Sequence, residues 1–221
     1  MLMAGLLNAT RLEEYLIDTP TAKVAPVKTL ASTSRIFSEG GLLTSISFIP
    51  LNRLLIGTSL TFEHLVGTND QDIKVLEPSL QLKYQLFDGT ETWPMFALGF
   101  NNQGLYYDHD EKKYLQKAKG LYLVATKELF TEGLLFNLGG NITTDGFEFD
   151  KVYGFTAVNY NVADYFALMV EWDNLRNIIR ESRLNTGIRF YIVDFFELDF
   201  AVRNCNNKAE RILQLRYNYT F

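Results

Sequence analysis

From Thr29 to the final residue, apolar and polar side chains alternate with period two over twelve separate stretches, most of them about ten residues long. The stretches run 29–38, 41–49, 54–65, 75–87, 93–104, 116–129, 133–144, 150–161, 164–173, 183–193, 195–204 and 210–221. Strands of soluble domains usually have about 5–6 residues, whereas about 9–11 are needed to cross a bilayer at a tilt. Long strands in even number predict an all-β chain, an antiparallel up-and-down transmembrane β-barrel of about twelve strands.

The connections carry a second regularity. Pro50–Arg53, Asp88–Thr92, Phe130–Glu132, Val162–Ala163 and Val193–Asp194 are short, and they alternate with longer polar segments such as LVGTNDQD, YYDHDEKKYLQ, NLRNIIRES and RNCNNKAE. In an up-and-down barrel every second connection lies on the same rim, so one rim carries tight turns and the other long loops. Glu39-Gly40-Gly41 is the exception, a tight turn where a long loop is expected. Pro78 and Pro94 fall at strand beginnings, where a missing amide is tolerated.

The two faces differ sharply. Phe196, Leu198, Phe200 and Val202 oppose Glu197, Asp199 and Arg203, while Leu80, Leu82, Tyr84 and Leu86 oppose Ser79, Gln81, Lys83 and Gln85. Alternation does not say which face is inside: a soluble ligand-binding barrel turns its apolar face inward and a membrane barrel turns it outward. Size favours the membrane, because eight strands already enclose what side chains can fill and twelve enclose more. Charged lumen-lining candidates are then Glu77, Lys83, Glu171, Arg189, Glu197, Asp199, Arg203 and Arg216, four acids and four bases that pair as readily as they line a pore. Phe48, Phe87, Trp93, Phe130, Tyr160, Tyr165, Phe195, Phe196, Tyr219 and Phe221 gather near the tight-turn rim, as one interfacial girdle should. Phe62, Tyr106, Tyr107, Phe147, Phe149 and Trp172 are the candidates for a second girdle.

Residues 1–28 precede the barrel, which occupies residues 29–221. MLMAGLLNA resembles the end of a signal's apolar region without the positive segment that should come first. Thr10 and Glu13 have capping-box spacing, which predicts either a short helix through Leu16, ended by Asp18-Thr19-Pro20, or plain coil. A net charge of -5 argues against a nucleic-acid partner. Cys205 is the single cysteine, so no internal disulfide forms, and no run of about 18 apolar residues marks a spanning helix.

Little chemistry stands out. His64 and His109 are the only histidines; His64, with Ser59 and Thr61 nearby, matches no hydrolase motif and reads as a solvated histidine at the membrane interface. Asp108, His109, Asp110 and Glu111 are a dense oxygen and imidazole cluster, but their spacing fits no defined metal loop and they read as a solvated loop. No enzyme activity, metal or cofactor is expected.

The ending YNYTF, with Tyr217, Tyr219 and Phe221 alternating, resembles the C-terminal signal of bacterial outer-membrane β-barrels. That resemblance implies an outer-membrane location and recognition of these residues by the barrel-assembly machinery. IDTPTAKV, SEGGLLTSISF, LLIGTSLTFEHLVG, FALGFNNQG and KGLYLVATKEL are similar to segments of a group of outer-membrane barrels related in style to the YjbH-type proteins associated with exopolysaccharide export. The expected function is a narrow passive channel, or a component of polysaccharide or small-solute export, in contact with the lipid bilayer. The alternatives are a closed structural barrel whose outer loops bind at the cell surface, and a soluble ligand-binding β-barrel.

Overall fold

The computed structural model describes residues 13–67, 72–163, 165–176 and 182–221. Its strands in chain order are β1 (Thr29–Phe37), β2 (Gly41–Leu51), β3 (Leu54–Glu63), β4 (Lys74–Val75), β5 (Ser79–Phe87), β6 (Met95–Asn101), β7 (Leu105–Asp108), β8 (Lys113–Gln116), β9 (Ala118–Glu128), β10 (Leu134–Asp145), β11 (Glu148–Val162), β12 (Phe166–Leu175), β13 (Arg183–Val193), β14 (Phe196–Arg203) and β15 (Glu210–Thr220). Twelve of them close into one antiparallel ring in sequence order; β4 pairs with the end of β3 beside the ring, and β7 and β8 pair with each other. The sheet closes where β1 meets β15, in register from Thr29 opposite Thr220 to Ile36 opposite Leu213. Closure leaves no edge with unpaired amides, a requirement for any barrel that meets hydrocarbon.

Orientation follows the alternation. Lys83, Glu171, Arg189, Glu197, Asp199, Arg203 and Arg216 are buried, whereas Leu82, Leu123, Leu168, Val170 and Phe200 are exposed on the outer surface. A soluble barrel shows the opposite arrangement, so the outward aliphatic face counts against the soluble alternative. Trp93, Phe130, Tyr165, Phe195 and Phe221 are exposed around the tight-turn rim, and Phe147, Phe149 and Trp172 are exposed toward the other. Tyr106 and Tyr107 depart from the expected second girdle. They lie on the β7–β8 hairpin, where Tyr106 packs edge-on against Phe37 and Tyr107 against Tyr114.

That hairpin is itself a departure, because its sequence reads as open loop. Asp108 makes the turn: its carboxylate accepts the N–H groups of Asp110 (2.9 Å) and Glu111 (3.1 Å), as Asp does in tight turns. The double glycine between β1 and β2 has an equally local cause. Gly40 has φ +71°, and a Cβ there would lie 2.1 Å from the carbonyl oxygen of Val66 in the loop above.

The short helix over residues 10–16 is not formed where the chain is described; Thr10 and MLMAGLLNA lie outside the described residues. From Glu13 the backbone folds into a narrow hairpin: Tyr15 bridges Pro20, Leu16 N–H donates to Thr19 (3.0 Å) and Thr21 N–H to Glu14 (3.0 Å). It then runs to Lys28, whose N–H donates to Ile49 and whose carbonyl accepts from Phe221. The described ends of the hairpin, Glu13 beside Asn161 and Lys28 beside Ile49, thus both stand at the tight-turn rim.

Candidate functional site

The barrel's interior is a set of inward side chains whose partners are largely supplied by that N-terminal hairpin. Its tip, Ile17–Thr19, points three consecutive amides at one wall carboxylate. Glu171 on β12 accepts from Ile17 N–H (2.7 Å), Asp18 N–H (3.0 Å), Thr19 N–H (3.0 Å) and the Thr19 hydroxyl (2.7 Å), and from Asn185 (3.0 Å). Successive amides of this kind make an anion-binding concavity, here filled by the barrel itself.

Cations surround the rest of the tip. Asp18 accepts from Arg35 (2.8 Å) and from Arg203 (2.7 Å). Burial alone would raise the Asp18 carboxyl, but Arg203 and Arg35 outweigh it and hold it well below the ordinary carboxylate range. Arg189 and Arg216 donate to the Leu16 carbonyl (3.2 and 2.6 Å), and Arg35 to that of Ile17. Lys83 donates to the carbonyls of Glu14 (2.7 Å) and Lys23 (3.3 Å) and sits 4.8 Å above the Tyr15 ring.

Among the sequence-predicted lumen residues, Arg189, Asp199 and Arg216 form one network. Asp199 accepts from Arg189 (2.7 and 3.0 Å), Arg216 (2.9 Å) and Gln214 (3.0 Å), with Glu197 3.5 Å from Arg189. Arg203 bridges Asp18 and Glu210. Glu77 does not join them: it is exposed in the coil between β4 and β5. Pro78, beside it, has no N–H to add to the ladder, so the strand begins at Ser79. Sequence reading passed over Arg35, Asp173, Asn185 and Gln214. Their polar-face positions were the available signal, blurred on β1 by Ser32 and Ser34 on the opposite face.

Apolar contacts complete the seating. Leu16 and Ile17 pack with Ala157, Met169, Ala201 and Ile212; Ala22 packs with Ala97, Tyr122, Val124 and Phe155; Ala25 packs with Ala31, Ile49 and Leu55. Between the hairpin and the wall a cavity of about 130 Å³ remains, lined in part by Thr33, Ser45, Gln81 and Gln103. It has room for a few waters. A wider recess of about 460 Å³ opens at the long-loop rim, bordered by Glu63, Tyr107, His109 and Lys208. There His109 meets Glu63 at 2.8 Å, and His64 lies on the same recess. Cys205 is exposed nearby in sequence, with its thiol 3.4 Å from the Val202 carbonyl.

Tyr217 and Tyr219 on β15, and Phe221 after it, all face outward; the Tyr219 and Phe221 rings meet edge-on at 5.1 Å.

A closed twelve-strand barrel with an ionised interior and an aliphatic exterior defines a porin-like class of fold. The chain is similar to the KdgM porin, with a TM-score of 0.63 and 9% identity over 86% of this chain and 99% of that one. It is similar also to a KdgM porin in complex with disordered oligogalacturonate (TM-score 0.56, 10% identity, 87% and 99% covered). A third likeness is to the COG4313 outer membrane channel from Pseudomonas putida F1 (TM-score 0.52, 13% identity, 92% and 100% covered). At these identities the likeness is one of fold. No protein-family model matches the sequence, and no curated protein does.

Proposed function

We propose that the chain is a bacterial outer-membrane barrel that acts as a narrow passive channel, kept mostly closed by its N-terminal hairpin. The observation that carries this reading is the polarity of the wall: ionised groups line an enclosed lumen too wide for side chains alone to fill, while aliphatic groups face outward. The fold likeness to porins and to an outer membrane channel supports it. Lipid contacts the outer face, and Tyr217, Tyr219 and Phe221 serve as the segment read by the barrel-assembly machinery. The solute is a small polar molecule or a saccharide, consistent with the oligogalacturonate held by one structural neighbour, and a role in exopolysaccharide export falls within this reading.

The test is refolding into a planar bilayer. Rare, brief conductance steps are expected, because among the described residues the hairpin occupies the lumen and the cavity beside it is about 130 Å³. A membrane that stays silent under prolonged recording refutes the channel and favours a second reading, a closed structural barrel that binds ligands through its outer loops. The hairpin filling the lumen is the observation that favours that alternative. A protein monodisperse in buffer without detergent would refute the membrane placement altogether.

A further inference from the structure

We infer that residues 13–27 are a removable stopper, and that the wall they cover is a binding track for an extended, carboxylate-bearing chain such as an acidic oligosaccharide. The inference rests on the channel reading and goes on to name what the channel takes. Five buried wall cations, Arg35, Lys83, Arg189, Arg203 and Arg216, all donate to the hairpin. What the hairpin offers them as hydrogen-bond acceptors is oxygen only, the Asp18 carboxylate and the carbonyls of Glu14, Tyr15, Leu16, Ile17 and Lys23, with the Tyr15 ring beneath Lys83 as the one further contact. A polypeptide limb laid along cations through a row of oxygens is a stand-in for any elongated chain that carries oxyanions and acceptors at intervals.

The charges are divided to match. Those five buried wall cations face four buried wall acids, Glu171, Asp173, Glu197 and Asp199. The hairpin has the opposite excess, Glu13, Glu14 and Asp18 against Lys23. Among the described residues, its departure leaves Lys83 with no wall carboxylate in contact and Arg35 with only the Gln214 oxygen, at 2.7 Å. Cations stripped of partners in a confined lumen recruit anions. They stand at two levels. Lys83, Arg189 and Arg216 lie four residues from the tight-turn ends of their strands, Arg35 and Arg203 six and seven from theirs. At about 3.3 Å per residue the levels are roughly 7–10 Å apart along the strands, so one ligand must be extended to touch both.

The twelve-strand ladder closes without the hairpin, and the two described ends of the hairpin stand at the same rim: Glu13 lies beside Asn161 near the end of β11, and Lys28 pairs with Ile49 near the end of β2.

The experiment uses full-length variants that loosen the hairpin without adding a cation to the wall; Thr19→Pro leaves the net charge unchanged, and Asp18→Asn raises it by one, so the chloride preference is read in Thr19→Pro. Asp18→Asn removes the anion shared by Arg35 and Arg203; Thr19→Pro removes an amide and a hydroxyl from Glu171. Folding of each is checked by its mobility on unheated gels. In planar bilayers either variant is expected to raise the open fraction about tenfold or more over the parent. In a KCl gradient the open state should prefer chloride to potassium by about threefold, and adding Lys83→Gln with Arg35→Gln should bring that ratio near one. Hyaluronan tetrasaccharide should block the open state at about tenfold lower concentration than neutral maltotetraose. Rare steps in the parent with no increase in either folded variant would refute the stopper and leave the channel standing. An open state with no chloride preference and equal block by the two sugars would refute the anionic track. Silence of parent and variants alike would refute the channel reading itself.

Discussion

Arginine at Leu82 is the sharpest probe of which way the wall faces. Leu82 is the fourth residue of nine in β5, opposite Ile56 on one neighbour and Phe100 on the other. At about 3.4 Å per residue it stands roughly 10 Å along the strand from the long-loop end, and about 17 Å from the other, well inside a hydrocarbon layer about 25 Å tall. Its side chain is 36% exposed, so in water Leu82→Arg would change stability by no more than about 0.5 kcal/mol. Against lipid the cost becomes about 2–4 kcal/mol at the midplane. Phe200→Arg should cost at least as much, because it also removes an edge-on contact with Phe190 at 6.2 Å. Gln81→Arg, one residue away on the inner face and beside the small cavity, should be much milder. Equilibrium unfolding from liposomes in guanidinium reads all three. Leu82→Arg within about 0.5 kcal/mol of the parent while Gln81→Arg costs several would invert the barrel and refute the reasoning.

Three further outcomes follow from the interior. Asp199→Asn leaves Arg189 and Arg216 facing a neutral amide in a buried site and should destabilise the folded barrel by about 3–5 kcal/mol in the same unfolding assay. Gly99→Ala should cost roughly 1–3 kcal/mol, because its Cβ would lie 2.3 Å from the Tyr122 ring on the paired strand. Because Arg203 and Arg35 depress the Asp18 carboxyl, its contribution to hairpin docking is complete above the unfolded value near 3.9 and fades as pH falls through the lower folded one. The difference in hydrogen-exchange protection at the Ile17–Thr19 amides between the parent and Asp18→Asn, corrected for intrinsic rate, should therefore be constant from pH 8 to about pH 5 and shrink only below about pH 4.

The barrel was legible in the sequence because each strand carries its own polarity. FELDFAVR on β14 alternates so cleanly that Glu197, Asp199 and Arg203 separate from the apolar face unaided; strand number then argues which face is inside, and in the structure every second residue of β14 is buried. Glu77 misled for a local reason: it is in phase with Ser79, Gln81 and Lys83, but Pro78 stops the ladder before reaching it. Tyr106 and Tyr107 misled because aromatic residues near a strand end suit a lipid girdle and a packed mouth equally.

The hairpin's position was not legible, because what fixes it is distant in the chain. Ile17 and Glu171 are separated by 154 residues, and the bends around Asp18-Thr19-Pro20 announce a turn without saying where it docks. One trace of it is nonetheless written in the strands. Large residues would be expected wherever a wide lumen must be filled from the wall alone, yet Ala31, Ala97, Ala157 and Ala201 face inward. At inward Gly187, an added Cβ would stand 2.8 Å from that of Ala201 and 3.2 Å from the Ile17 side chain. Each of these alanines packs in the same cluster as an apolar residue of the hairpin. Small inward residues on a twelve-strand wall therefore mark the footprint of something else inside, and here they trace the path of residues 16–25.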